Sequence, residues 1–496
     1  MFPDKYKEFH ESFMKNNNGT TAFDSFLYIV PSSFAIFHTI LLTGLLKIRS
    51  DNVPVKFLVE YLGICVSLVL YTTVLSNAIG QIVLSLLLIT VTAAVRQLRG
   101  KIHLTPFVQI PAARPDFITV SRSTISLITA VCILAVDFQC FPRKLAKTEK
   151  FGFGELLLES MSHWHKIKIY FILGLMDVGV GLFIFSNGII VKPSASAFSK
   201  KKFQKLLVGC LPLFILGFSR LVVTREINYQ EHLTEYGVHW NFFITLAVTK
   251  IFGTVIEGFL ETADQIKYTS IGILVAHELI LQLGLSDYVM NDTLARDNLI
   301  SANREGIFSA PGYVSLYLAS IYIGTLLKSD GQELIKVREV LMKAGKLCLL
   351  AICCWKMIYV CNGMFGISRR TANMGYNFWV LAIGCSMVTF FMLIEIYFYF
   401  ANFNRPQWQL METNNKSQLD EPDFHIPYVP LILQAINYNG LAFFLIANLF
   451  TGIVNICFQT MLLGTPGSLV IILYYTFLLN VIMVFLYVNK FKLKIW

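Results

Sequence analysis

Apolar residues along this chain run in long uninterrupted blocks, with no strand-like alternation and little of the one-sided helical pattern of a water-exposed helix. Blocks of about 17 to 25 residues, the length a helix needs to cross a hydrocarbon core, fall near 26–46, 57–75, 77–95, 123–138, 168–191, 204–223, 240–259, 268–285, 311–327, 343–361, 376–400, 431–457 and 466–488. They predict an all-α polytopic transmembrane bundle of about 13 spans. The first 25 residues are polar and lack the short apolar core of a signal peptide, so the first span itself is expected to direct insertion, without cleavage. No boundary or internal repeat is visible, and residues 1–496 read as a single membrane-embedded domain. The polar stretches 96–122 and 401–430 carry several prolines and read as irregular connectors.

Composition agrees: of 496 residues 55% are hydrophobic and only 15% charged, with mean hydropathy +0.60. The net charge of +10 belongs mainly in cytosolic loops. Placing the N-terminus in the lumen and the C-terminus in the cytosol puts the larger share of Lys and Arg there. In that orientation the sequons at Asn18 and Asn291 are lumenal and open to glycosylation, whereas Asn415 is cytosolic. The C-terminal KLKIW places Lys492 and Lys494 where a dilysine signal would engage the COPI coat, with ordinary basic flanking of a last helix as the alternative. Cys65, Cys132, Cys348, Cys353, Cys354 and Cys457 lie inside apolar runs without metal-ligand spacing and read as packing residues; no metal site is expected. Nothing in the loops suggests a nucleic-acid partner, and no Walker loop, HExxH or nucleophile elbow is present.

One segment breaks the charge rule. Residues 139–168 hold Arg143, Lys144, Lys147, Lys150, Lys166 and Lys168 on the side expected to be lumenal, directly after Asp137 at the end of the fourth span. Cations beside a carboxylate at a membrane boundary suit acyl transfer to an anionic lipid, the cations holding phosphate and the carboxylate accepting a hydroxyl proton. A solvated basic loop with Asp137 paired to Arg143 accounts for the same residues. Further on, GLMDVGVG places Asp177 inside an apolar span, either lining a polar cavity or pairing with a partner charge, among glycines that permit close helix approach. The connector from Ser219 ends in His239, Trp240 and Asn241: a histidine able to shuttle protons, or an ordinary structural one, beside an interfacial tryptophan. Glu60, Lys250, Glu257, His277, Glu278, Lys356 and Glu395 also fall inside spans, where some must face the bundle interior.

Three segments together, Asp137 to Glu149, Leu175 to Gly181 and Tyr229 to Phe243, resemble the GPI inositol-acyltransferase family, also called the GPI-anchored wall transfer proteins. The third (YQEHLTEYGVHWNFF) is long and specific; in the first, Gln139 replaces a proline and Lys144 an arginine. The resemblance implies an enzyme of the endoplasmic reticulum membrane. It would move a fatty acyl group, palmitoyl being expected, from acyl-CoA to the inositol 2-hydroxyl of glucosaminyl-phosphatidylinositol, with acyl-CoA as co-substrate and no bound cofactor. By the same resemblance Asp137 and Lys147 become the catalytic pair, with His239 in reserve, and Arg143, Lys144, Asp177, Trp240 and Asn241 are assigned to substrate and phosphate. A polytopic lipid or solute transporter is the rival reading, and a non-catalytic subunit of a membrane glycosyltransferase complex a third.

In the family the first block runs almost directly into the second, whereas about 20 residues intervene here (GELLLESMSHWHKIKIYFIL). Removing 155–173 restores the spacing, and reverse translation permits splice-like borders on either side. The segment is read as a retained intron, with a lumenal insertion carrying His163 and His165 as the alternative.

Overall fold

The computed structural model describes residues 12–13, 19–48, 51–99, 109–111, 116–148, 174–193, 199–226, 233–328, 334–402 and 429–493. Asn18, Asn415, Lys494 and the 155–173 segment lie outside the described residues. The helices used below are α1 (Ala22–Leu45), α2 (Val53–Thr72), α3 (Ser76–Leu98), α4 (Asp116–Ala135), α5 (Gly179–Gly188), α6 (Lys200–Glu226), α7 (Phe242–Glu257), α8 (Ala263–Met290), α9 (Arg304–Leu327), α10 (Val337–Met364), α11 (Met374–Asn402), α12 (Leu431–Tyr438), α13 (Gly440–Cys457) and α14 (Thr465–Val488).

Among the described residues 11 helices are long and apolar enough to cross a membrane. The two remaining expected spans are shorter. Among the described residues of the 168–191 block, Gly174–Val178 turns around Asp177 before the 10 residues of α5 begin, and the 240–259 block yields the 16 residues of α7. The 431–457 block divides at Asn439 into α12 and α13. Local sequence explains the starts: Asn52 and Thr262 accept from backbone N–H groups of α2 and α8, and Pro54 and Pro466 sit in first turns whose N–H groups need no helical partner.

α11 is the buried axis of the bundle; it packs on α10 and on α4, and its Tyr376, Trp379 and Phe391 are fully enclosed. α3 is the opposite case. Leu84, Leu88, Ile89 and Val95 are all exposed, as suits a helix whose solvent is lipid. The cysteines divide the same way, with Cys65, Cys132 and Cys354 buried and Cys348, Cys353 and Cys457 on outward faces.

Three intramembrane glutamates whose partners the sequence left open meet helix starts. Glu60 accepts from Leu431 N and Ile432 N (both 2.9 Å) at the start of α12; Glu278 accepts from Met374 N (2.8 Å) at α11; Glu395 accepts from Phe117 N (3.0 Å) at α4. Each carboxylate satisfies N–H groups that a helix cannot satisfy itself, at the positive end of the helix dipole. These acids are structural. His277 likewise bonds Thr371 O (2.8 Å).

Contacts sort the connectors onto two ends of the bundle. At one end Gln139 donates to Met461 O, Val238 N to Ala302 O, and Arg370 to Asp292, so the α4–α5, α6–α7, α8–α9, α10–α11 and α13–α14 connectors share a face. The segment before α1 joins them, with Phe13 under the Arg143 guanidinium. At the other end β1 (Gln109–Pro111) pairs antiparallel with β2 (Leu334–Lys336), and Lys328 Nζ donates to Val191 O. Every second connector therefore returns to the Asp137 face, although α5 and α7 are short.

Candidate active site

Asp137 lies just beyond α4 and is 3% exposed. Its Oδ2 accepts from Asn455 Nδ2 at 2.7 Å, near the end of α13. Burial pushes the Asp137 carboxyl up to about 6, against the Asn455 hydrogen bond and the charges of Arg143 and Lys147, which favour ionisation. The two prolonged arms of Arg143 and Lys144 differ. Arg143 folds back to donate to Val136 O and stacks on Phe13, and burial draws its guanidinium down to about 10; Lys144 is exposed beside the ring of Tyr28.

Lys147 belongs to a second feature. Its Nζ lies 2.7 and 2.9 Å from the two carboxylate oxygens of Glu235, in the one-turn helix Leu233–Tyr236. Glu235 Oε2 in turn lies 3.6 Å from Arg369 Nη2, and Arg369 Nε is 3.3 Å from Asp177 Oδ1. Asp177 Oδ2 accepts from Gly174 N (2.9 Å), Thr148 Oγ1 (3.0 Å) and Thr148 N (3.2 Å). Asp177 is thus an anchor between segments, and its carboxylate is taken up by this chain's own donors. Tyr376 fastens the same turn, accepting from Gly181 N and donating to Asp177 O.

Arg369 and Arg370 sit in the α10–α11 connector, where every residue from Ile367 to Asn373 is buried. Asn373 folds that connector: its Oδ1 accepts from Ser368 N and Tyr376 N and its Nδ2 donates to Gly366 O. The connector lies against Gly312, where any Cβ would come 2.0 Å from Ala372 O. Gly312 is eight residues into α9, so Ala372 of the connector lies roughly 12 Å along that helix from its start. Arg370 meets Asp292 (2.8 Å) and Glu305 (3.1 Å), and the fully buried Glu305 also takes both Nη atoms of Arg296 (2.7 and 3.1 Å) and stands 3.7 Å from Arg304 Nε.

Two residues of the third sequence segment have structural contacts of their own. Asn241 caps α7, its Oδ1 accepting from Phe243 N and Ile244 N while Nδ2 donates to Gly217 O. The Trp240 indole packs on Gly306, a position where a Cβ would meet it at 2.3 Å, and donates to Thr245 Oγ1. His239 is exposed on this face, its backbone N held by Asn303 Oδ1 at 2.7 Å. The structure therefore brings Asp137, Arg143, Lys147, Asp177 and Glu235 to one recessed face, and sets Trp240 and Asn241 into packing and capping.

The family model described as GWT1 matches residues 6–156 and 170–486, which include every residue of this site. This chain belongs to the GWT1 family. It is 29% identical over 474 residues to "GPI-anchored wall transfer protein 1" of Yarrowia lipolytica, covering 90% of this chain and 89% of that one. It is also 30% identical over 532 residues to "Glucosaminyl-phosphatidylinositol-acyltransferase PIGW" of Bos taurus and 28% over 529 residues to the human protein of that name, covering 99% of each chain in both cases. Only 157–169, within the intervening stretch noted above, lies between the two segments matched by the GWT1 model.

Sequence reading of this GWT1 member passed over Arg369, Arg370, Glu305 and Asn455, and counted Glu235 among the connector charges without giving it a role. Two signals were present: Glu235 stands in the TEYG run, and adjacent arginines in the short SRRTAN segment between two apolar blocks are unusual at a span boundary. On the same face Asn291 is exposed, with Thr293 N and Oγ1 donating to its Oδ1 at 3.0 and 2.6 Å. That turn presents the sequon outward. If this face is lumenal, Asn291 carries a glycan, and Asn291→Gln produces a mobility shift equal to that of glycosidase treatment at that site; an unmodified Asn291 in a protein from secretory membranes counts against the orientation.

Proposed function

We propose that this chain transfers a fatty acyl group from acyl-CoA to the inositol 2-hydroxyl of glucosaminyl-phosphatidylinositol, in GPI-anchor biosynthesis at the endoplasmic reticulum membrane. The observation that carries the reading is near full-length similarity to proteins named for this acyl transfer, joined to a shielded carboxylate with adjacent cations where the transfer would need a base. Asp137, aligned by Asn455, takes the proton as the hydroxyl oxygen attacks the thioester carbonyl. The carbon–sulfur bond then breaks, and the proton passes to the departing CoA thiolate, leaving the ester on inositol and Asp137 ready again. Lys147 offers an ammonium to the developing oxyanion. Arg143 and Lys144 offer charge to phosphate. No acyl-enzyme is needed. The N-terminus and the Asp137 face lie in the lumen on this reading, palmitoyl is the expected chain, and the Lys492 and Lys494 pair is the expected COPI signal. The transporter alternative has no counterpart in the names of the three relatives given above.

The test is acylation of labelled glucosaminyl-phosphatidylinositol by membranes carrying this chain in a strain without its own activity, with and without palmitoyl-CoA. Product that fails to depend on added acyl-CoA would refute the donor. A base must be deprotonated to act, so activity falls as pH drops below the Asp137 value. We expect kcat/KM to show an acid limb near pH 6, and a flat profile from pH 5 to 8 would exclude Asp137 as the base.

A further inference from the structure

The contacts around Lys147 close on themselves. Lys147 pairs with Glu235, Glu235 faces Arg369, Arg369 pairs with Asp177, and Asp177 accepts from the backbone and hydroxyl of Thr148, the residue after Lys147. Four segments contribute: the α4–α5 connector, the turn before α5, the one-turn helix before α7 and the α10–α11 connector. The Arg369 guanidinium also lies over the Tyr236 ring, 5.2 Å from its centroid, and its carbonyl accepts from Tyr313.

Two cations and two carboxylates balance within this ring. Burying such groups costs more than the pairing returns unless geometry is well fixed, and apolar residues of similar size would serve stability as well. Exposure shows what the ring presents: the side chains of Asp177, Arg369 and Glu235 are 1%, 4% and 13% exposed, whereas that of Lys147 is 37% exposed. Three charges are enclosed and one opens to the site. An ammonium on a four-carbon stem is otherwise free to swing through several rotamers.

We propose that Glu235 and Arg369 are positioning residues for acyl transfer: through the ring closed by Asp177 and Thr148 they hold the Lys147 ammonium in register with Asp137. This rests on the acyltransferase reading above and extends it to one residue of the one-turn helix before α7 and one of the α10–α11 connector. Arg369 acts at one remove, fixing the Glu235 carboxylate that Lys147 follows. Neither residue touches the reacting atoms.

The experiment measures kcat and KM for glucosaminyl-phosphatidylinositol separately, on full-length protein in detergent, using only the folded fraction from size exclusion. Misplacing a catalytic group by about 1 Å costs roughly a hundredfold, so Glu235→Gln and Arg369→Gln should lower kcat by about tenfold to a hundredfold while KM stays within about threefold. Glu235→Asp and Arg369→Lys, which keep charge, should recover part of the rate. The deciding arm combines Glu235→Gln with Lys147→Arg. If Glu235 acts through Lys147, the double variant loses less than the product of the single losses. Losses that multiply, or a reduced folded yield with normal kcat in the folded fraction, would overturn the proposal. A wild-type chain without acyl transfer would overturn the acyltransferase reading, and the positioning role with it.

Discussion

Asp137→Asn is expected to abolish most acyl transfer, by about 10²-fold or more, while the protein inserts and folds normally. The carboxylate is 3% exposed and its recorded partner, Asn455, donates to it. An asparagine oxygen accepts the same hydrogen bond, so shape and packing persist and only the capacity to take a proton is lost. Lys147→Ala should fall by a comparable factor, since the partly exposed ammonium whose charge acts on Asp137 vanishes and Glu235 loses a cation 2.7 Å away. Lys147→Arg keeps the charge but exchanges a compact donor for a planar fork, and should retain a fraction of the rate. Turnover must be measured per folded molecule in membranes with matched protein. Near-normal acylation by Asp137→Asn would end its assignment as the base and turn attention to His239, the exposed imidazole on the same face.

Glu305→Gln should act on the fold. Arg296, Arg304 and Arg370 converge on this one fully buried carboxylate at the first turn of α9, where the helix dipole also favours a negative charge. Removing one member of a buried ionic cluster leaves its partners uncompensated and costs about 3–5 kcal/mol. A loss of that size consumes much of the margin of a folded domain. The expected result is a steep fall in monodisperse protein extracted from membranes and a lowered melting temperature. Asp292→Asn provides the contrast, because Asp292 is 60% exposed and its pairing with Arg370 is open to solvent, so its effect should be small. Equal melting temperatures for Glu305→Gln and wild type would show that the cluster contributes no stability.

Several features were legible along the chain without its fold. Uninterrupted apolar blocks determine helices in a membrane because lipid offers no partner for a free peptide group, and 11 of the expected spans appear as long apolar helices. Clusters of charge at span boundaries singled out the segments containing Asp137, Lys147 and Asp177 because charge near hydrocarbon is costly and is kept where it is used. What hydropathy could not give was where each charge would find its opposite. Glu60, Glu278 and Glu395 read only as charges inside spans with partners left open, and each closes the start of a helix distant in the chain. Asp177 read as a charge inside a span, and the fold sets it in the turn that precedes α5. Trp240 and Asn241 read as substrate contacts, and the fold uses them to seat and cap α7. Glu235 read as one charge among several in its connector and Arg369 drew no notice, yet the two, 134 positions apart, meet beside Lys147. Hydrophobicity is a property of each residue and survives in one dimension. The pairing of buried charges depends on which connectors share an end of the bundle and how deep each lies, and only the packed helices decide that.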